Sequence, residues 1–160
     1  MRAVSRIFAA ALMASTALLV PAGPAQAAPT GVIVSRHDGR CLDADISNPT
    51  HDGTKVQTWQ CIAGGRNQRW TSYRDGSIRS SWDGRCLDLD ISAGTGNGTK
   101  VQLWACNGWL NQKWNLNADG TITSRHDGRC LDEDIAGGTR NGTRVQVWDC
   151  NGWLNQKWRR

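Results

Sequence analysis

Ser124-Arg125-His126-Asp127-Gly128-Arg129-Cys130-Leu131-Asp132 decides how this chain is read. The same nine positions occur twice before it, as Ser35-Arg36-His37-Asp38-Gly39-Arg40-Cys41-Leu42-Asp43 and Ser80-Ser81-Trp82-Asp83-Gly84-Arg85-Cys86-Leu87-Asp88, at offsets of 45 and 44 residues. Each copy runs on to a Gly-Thr-Lys/Arg-Val-Gln-x-Trp-x-Cys stretch, at Gly53 to Cys61, Gly98 to Cys106 and Gly142 to Cys150. Each ends in Asn-Gln-x-Trp, at Asn67 to Trp70, Asn111 to Trp114 and Asn155 to Trp158. A fixed period of this size marks a repeat architecture. The units span about residues 31–70, 76–114 and 120–158, and Thr71–Gly76 and Asn115–Gly120 read as short turn-forming connectors. A unit of about 44 residues cannot bury enough surface alone. The expectation is therefore one domain, residues 28–160, made of three like units.

Within a unit the pattern is that of strands and tight turns. Val32-Ile33-Val34, Ser77-Ile78-Arg79 and Thr121-Ile122-Thr123 are short strand candidates. Lys55 to Trp59, Lys100 to Trp104 and Arg144 to Trp148 alternate polar and apolar residues, the mark of a half-buried strand. Asp38-Gly39, Asp83-Gly84, Asp127-Gly128, Asn97-Gly98 and Asn141-Gly142 are turn signals. No helical period interrupts them, so the fold class is all-β. Three equal units of about four strands suggest pseudo-threefold closure, which also removes exposed sheet edges.

The six cysteines fit three equivalent units. Cys41–Cys61, Cys86–Cys106 and Cys130–Cys150 share a spacing of 20 residues, and equivalent units should close equivalent loops. No two cysteines lie two to four apart, as common zinc sites require, so no metal and no cofactor is expected. Residues 1–27 read as a secretory signal peptide. Arg2 and Arg6 precede an apolar run from Ile7 to Val20, and Ala25-Gln26-Ala27 forms a small-x-small cleavage site. That run is shorter than the 18 to 20 apolar residues, roughly, that a membrane span needs. The implied location is secreted and extracellular, an oxidising setting in which cysteines pair. The whole chain carries +5 at pH 7, and +3 remains once the two signal arginines leave.

Chemistry concentrates at three equivalent places. A carboxylate stands two residues past the first Cys of each unit: Asp43, Asp88 and Asp132. A Trp stands two residues before the second Cys: Trp59, Trp104 and Trp148. Gln57, Gln102 and Gln146 lie two residues upstream of these, and Asn67-Gln68, Asn111-Gln112 and Asn155-Gln156 follow. A disulfide between the two cysteines of a unit would draw the Asp end and the Trp end together. A flat aromatic face, one charged acceptor and several amides is the set a sugar needs. One face of a pyranose is mostly C–H and stacks on an aromatic ring, while its hydroxyls need directional partners, for which a carboxylate is a strong acceptor.

Nine Trp residues in 160 need apportioning between core and surface. Trp70, Trp114 and Trp158 end each unit and read as core. Pattern alone leaves Trp59, Trp104 and Trp148 between core and ligand platform. Leu42, Leu87 and Leu131 and Ile46, Ile91 and Ile135 already supply core candidates, and three more Trp would crowd a small interior. Trp109 and Trp153 have no counterpart in the first unit, which has Gly65-Arg66 there, and read as partly exposed residues flanking a site.

The Cys-Leu-Asp start, Val-Gln-x-Trp-x-Cys middle and Asn-Gln-x-Trp end, present three times, resemble the ricin-type lectins and their bacterial relatives, the family 13 carbohydrate-binding modules. The resemblance covers about residues 31–158. It implies a β-trefoil with up to three shallow sugar pockets. It assigns sugar contact to Asp43, Gln57, Trp59, Asn67 and Gln68 in the first unit. The equivalent sets are Asp88, Gln102, Trp104, Asn111 and Gln112, and Asp132, Gln146, Trp148, Asn155 and Gln156. Galactosides are the sugars it favours, with xylan or arabinan next. Two departures stand out. Trp occupies the stacking position where the bacterial modules often have Tyr, and the first unit has one extra residue between Cys61 and Trp70.

Other functions fit less well. Glycoside hydrolysis needs two carboxylates in one pocket. Asp43/Asp45, Asp88/Asp90 and Asp132/Asp134 offer pairs, but in triplicate, as binding sites and seldom catalytic centres are. The Asp-x-Asp spacing lacks the Gly and closing Glu of an EF-hand. Basic residues are interleaved with Asp rather than clustered, so no nucleic-acid partner is implied. The reading is a non-catalytic, secreted, monomeric glycan-binding protein. The alternative is a trefoil protein that binds a protein partner, such as a protease inhibitor.

Overall fold

The computed structural model describes residues 30–160 of the chain. The expected signal peptide, residues 1–27, lies outside the described residues.

Each unit supplies four strand positions. In the first these are β1 (Gly31–Val32) with β2 (Val34–Ser35), β3 (Cys41–Ala44), β4 (Thr54–Trp59) and β5 (Arg69–Ser72). The second has β6 (Ile78–Ser80), β7 (Cys86–Leu89), β8 (Thr99–Trp104) and β9 (Trp114–Leu116). The third has β10 (Ile122–Ser124), β11 (Cys130–Glu133), β12 (Thr143–Trp148) and β13 (Trp158–Arg159). The two middle strands of every unit form an antiparallel hairpin in one register, pairing Asp43 with Gln57, Asp88 with Gln102 and Asp132 with Gln146. The three hairpins then meet pairwise through β4–β8, β8–β12 and β12–β4, which closes a ring about the pseudo-threefold axis. The last strand pairs with the first unit, Trp158 opposite Ser35, so the circle shuts on itself. This is the expected β-trefoil.

Two expectations shift. The connectors Thr71–Gly76 and Asn115–Gly120 are not wholly turns: Thr71 and Ser72 extend β5, and Asn115 and Leu116 extend β9. Both strands run into hairpins with the next unit, β5 on β6 and β9 on β10. In addition, each Asn-Gln pair sits on one turn of 3-10 helix, at Arg66–Gln68, Leu110–Gln112 and Leu154–Gln156. A single turn is too short to leave a helical period in the sequence.

Between the layers, one apolar cluster is built from Leu42, Val56, Ile78, Leu87, Leu103, Ile122, Leu131, Val147 and their equivalents, with Trp70, Trp114 and Trp158 as its largest members. The three disulfides are Cys41–Cys61, Cys86–Cys106 and Cys130–Cys150, as the equal spacing predicts. Each joins the start of one middle strand to the chain just past the end of the other. On the chain-entropy argument each adds about 3 kcal/mol by shortening the unfolded loop.

Of the isoleucines expected in the core, none is fully buried, and only Ile91 packs against the core cluster. Ile46 is exposed, and Ile91 and Ile135 are half-buried. They lie just past the Asp-bearing strands, where the chain has left the interior.

Candidate functional site

Asp88 lies on β7. Its neighbour Leu87 packs in the core and gives its backbone oxygen to the indole N–H of Trp114 at 2.9 Å. With the strand so fixed, the carboxylate accepts three amide N–H bonds. Gln102 Nε2 donates to Oδ1 at 3.1 Å, and Asn111 Nδ2 and Gln112 Nε2 both donate to Oδ2 at 2.9 Å. A carboxylate offers about four acceptor positions, so capacity remains mainly on Oδ1. Burial raises the Asp88 pKa above its ordinary value, and the amides of Gln102, Gln112 and Asn111 and the charge of Asp90 act in smaller measure.

The other two units repeat the arrangement. Asp132 accepts from Gln146 at 3.0 Å and from Asn155 and Gln156 at 2.9 Å. Asp43 accepts from Gln57 at 3.1 Å, Asn67 at 2.8 Å and Gln68 at 2.9 Å. The extra residue of the first unit is therefore absorbed before Asn67 without changing the bonds Asn67 makes to the Asp. Asp43 and Asp132 likewise have pKa values raised, first by burial.

The Asn and Gln of each pair do different work. Gln112 is fully buried, and its Nε2 also donates to the Ala105 oxygen while its Oε1 accepts from the Asn107 N–H at 2.9 Å. Gln156 and Gln68 are equally buried and equally committed. Asn111 uses both amide hydrogens, on Asp88 and on the Leu89 oxygen at 3.0 Å. Its Oδ1 is buried with no partner, and so is that of Asn155. A buried acceptor left unpaired costs about 1–3 kcal/mol.

Cavities form beside Asp88 and Asp132. One of about 440 Å³ is lined by Asp88, Asp90, Ile91, Gln102, Trp104 and Asn111, among others, and one of about 290 Å³ by their equivalents from Asp132 to Asn155. Trp104 and Trp148 are 39% and 40% exposed, which settles that they are not core, and Trp59 is half-buried. Trp109 and Trp153 are more exposed still and line the same two cavities. Ile91 and Ile135 line the cavities too.

One contribution crosses between units and is invisible in any single repeat. Gly53, from the first unit, lines the second unit's cavity. Gly98 stands against Gln146 and Trp148 of the third, and Gly142 against Gln57 and Trp59 of the first. At Gly142 the φ of 89° favours glycine, and a Cβ would sit 3.6 Å from Gln57 Oε1 and 3.9 Å from the Trp59 ring. Each site is thus walled by a turn of the preceding unit around the ring.

Among the described residues no group of three His, Cys, Asp or Glu is placed to hold a metal ion, and no helix is long and apolar enough to cross a membrane.

Closed trefoils with three Asp-amide-Trp sites define a lectin-like class of protein. The model of the ricin-type β-trefoil lectin domain matches residues 29–159, and the chain belongs to that family. It is 49% identical over 51 residues to volkensin of Adenia volkensii, an alignment covering 31% of this chain and 9% of volkensin. The chain thus spans only a small part of that relative. Among solved structures it is similar to the designed threefold-symmetric protein ThreeFoil, with TM-score 0.71 and 31% identity over 81% of this chain and 96% of that one. It is also similar to a non-toxic homologue of type II RIPs from Momordica charantia, solved with α-methyl-D-galactoside. There the TM-score is 0.70 and the identity 28%, over 84% of this chain and 47% of that one.

Proposed function

We propose that this protein is a secreted, non-catalytic carbohydrate-binding protein with up to three sugar sites, and that galactosides are its first ligands, with plant polysaccharides such as xylan next. One observation carries the reading. Three times over, a buried carboxylate is held by three amide N–H groups beside a Trp at or near the surface. A carboxylate so restrained is a fixed acceptor and a poor proton shuttle, which suits binding better than acid–base work. Asp, Trp and Asn form the contact surface. Gln68, Gln112 and Gln156, fully buried, position the Asp and the loop after the second Cys. Family membership and the galactoside bound to the Momordica charantia protein support the sugar class. Each shallow site alone binds weakly, and a multivalent glycan gains through effective concentration.

The test is binding of the disulfide-intact protein to an array of glycans and polysaccharides, with and without excess free sugar. Binding that free galactose competes away is the expected result. A folded protein that binds nothing on the array contradicts the proposal.

A further inference from the structure

The three sites are not equal, and the difference lies in a second Trp that the first unit does not have. Trp109 and Trp153 are 63% and 62% exposed, although an indole is among the largest apolar surfaces a protein can bury. The backbone at each is held in place. The Trp109 backbone N–H donates to Asn107 Oδ1 at 2.9 Å, and the Trp153 backbone N–H to Asn151 Oδ1 at 2.9 Å. Asn107 is itself anchored, its N–H bonded to the buried Gln112, and Asn151 is anchored to Gln156 in the same way. So the backbone that carries each exposed indole stands on a chain of hydrogen bonds that ends at the site's Asp. Each lines the cavity that its unit's Trp104 or Trp148 also lines.

The first unit lacks this wall. Gly65 stands in its place, and a Cβ there would lie 3.2 Å from the Ile62 backbone oxygen, so no larger side chain enters without moving the loop. The unpartnered buried Oδ1 atoms are those of Asn111 and Asn155, in the two units that carry the extra Trp.

Resting on the sugar-binding reading above, we infer that the sites of units 2 and 3 hold a glycan of at least two linked sugars, whereas unit 1 holds a terminal sugar alone. The terminal ring lies on Trp104 or Trp148 over the Asp. The next ring lies against Trp109 or Trp153. A single pyranose has one apolar face and cannot use two separate indoles equally well, whereas successive rings of a chain each bring one. An added aromatic contact of this kind is worth roughly tenfold in affinity.

The experiment is calorimetric titration of the full chain, exported to an oxidising compartment, with methyl β-galactoside and with lactose. The double variant Trp109→Ala/Trp153→Ala is compared with the parent, and both residues are exposed enough that the fold survives their loss. The parent should bind lactose about tenfold more tightly than the monosaccharide. The variant should keep monosaccharide affinity within about twofold and lose the lactose advantage. An advantage that survives in the variant, or one absent from the parent, overturns the inference and leaves the sugar sites standing. Equal loss for both sugars also overturns it, since Trp109 and Trp153 would then belong to the terminal-sugar contact. A parent that is folded yet binds neither sugar removes the galactoside reading on which the inference rests.

Discussion

The indole N–H of Trp114 donates to the backbone oxygen of Leu87, one residue before Asp88, at 2.9 Å. The same bond links Trp70 to Leu42 and Trp158 to Leu131. The core Trp that ends each unit therefore holds the unit's Asp-bearing middle strand, with the site's Asp on the next residue. Core and site are mechanically one object. Trp114→Ala should destabilise the protein by about 3–5 kcal/mol as a core truncation. Trp114→Phe, which keeps a ring but loses the donor, should cost about 1–3 kcal/mol. Urea unfolding reads both, and a Phe variant as stable as the parent would show that the bond does not matter.

Asp88 is as much structural as functional. Removing its side chain leaves three amide groups of Gln102, Asn111 and Gln112 short of an acceptor. Asp88→Ala should remove one binding site from the titration stoichiometry and also lower stability by about 1–3 kcal/mol. Unchanged stoichiometry would detach Asp88 from binding.

Binding and folding should respond to acid at different pH. Burial raises the pKa values of Asp43, Asp88 and Asp132 above the ordinary 3.8, so their carboxylates protonate early as pH falls, and sugar affinity should fall with them. Asp119 goes the other way. Hydrogen bonding from Lys157, 2.7 Å away, holds it well below the usual range, helped by Thr121. A depressed carboxylate contributes stability that is present above pH 3.8 and is lost only as pH falls through its folded value. A raised one contributes stability that is greatest below 3.8 and declines as pH rises. Just above pH 3.8 the protein should therefore remain folded while binding weakens. Fluorescence-monitored unfolding and sugar titration across pH 3 to 7 check this, and loss of both together would refute it.

Glu133 breaks the threefold pattern. Its equivalents Ala44 and Leu89 are apolar, yet Glu133 is fully buried and accepts from Ser35 Oγ at 2.8 Å and Thr58 Oγ1 at 2.6 Å. Burial raises its pKa, and the nearby Asp38 adds to the rise. With a raised folded pKa, its contribution to stability is full below the ordinary value of 4.5 and is lost as pH rises through the folded value. Glu133→Gln should remove this dependence, so the parent's stability relative to the variant should decline as pH rises. A constant difference between pH 4 and 8 would contradict the assignment.

Much of this was legible because it recurs. Cys41, Cys86 and Cys130 each find a partner 20 residues on, as their equal spacing implies. Trp70, Trp114 and Trp158 are core as their position implies. What the sequence hid depends on contacts between units or on the reach of a short turn. Nothing local marks Gly53 as a wall of the second unit's cavity. Ile46 has the same hydrophobicity as a core residue but lies past the end of its strand, and ends exposed. Gln68 and Asn67 are neighbours of similar chemistry, and only the 3-10 turn decides that Gln68 is sealed inside while Asn111, the Asn of the second unit, reaches a cavity wall.

The most direct test of the central claim is a titration of galactoside followed by the indole N–H signals of the nine Trp residues in a nitrogen–proton spectrum. The signals of Trp104 and Trp148, and of Trp59, should move with added sugar, while those of Trp70, Trp114 and Trp158 hold still in the core. Core signals moving while the exposed ones stay fixed, or none moving at saturating sugar, would contradict it.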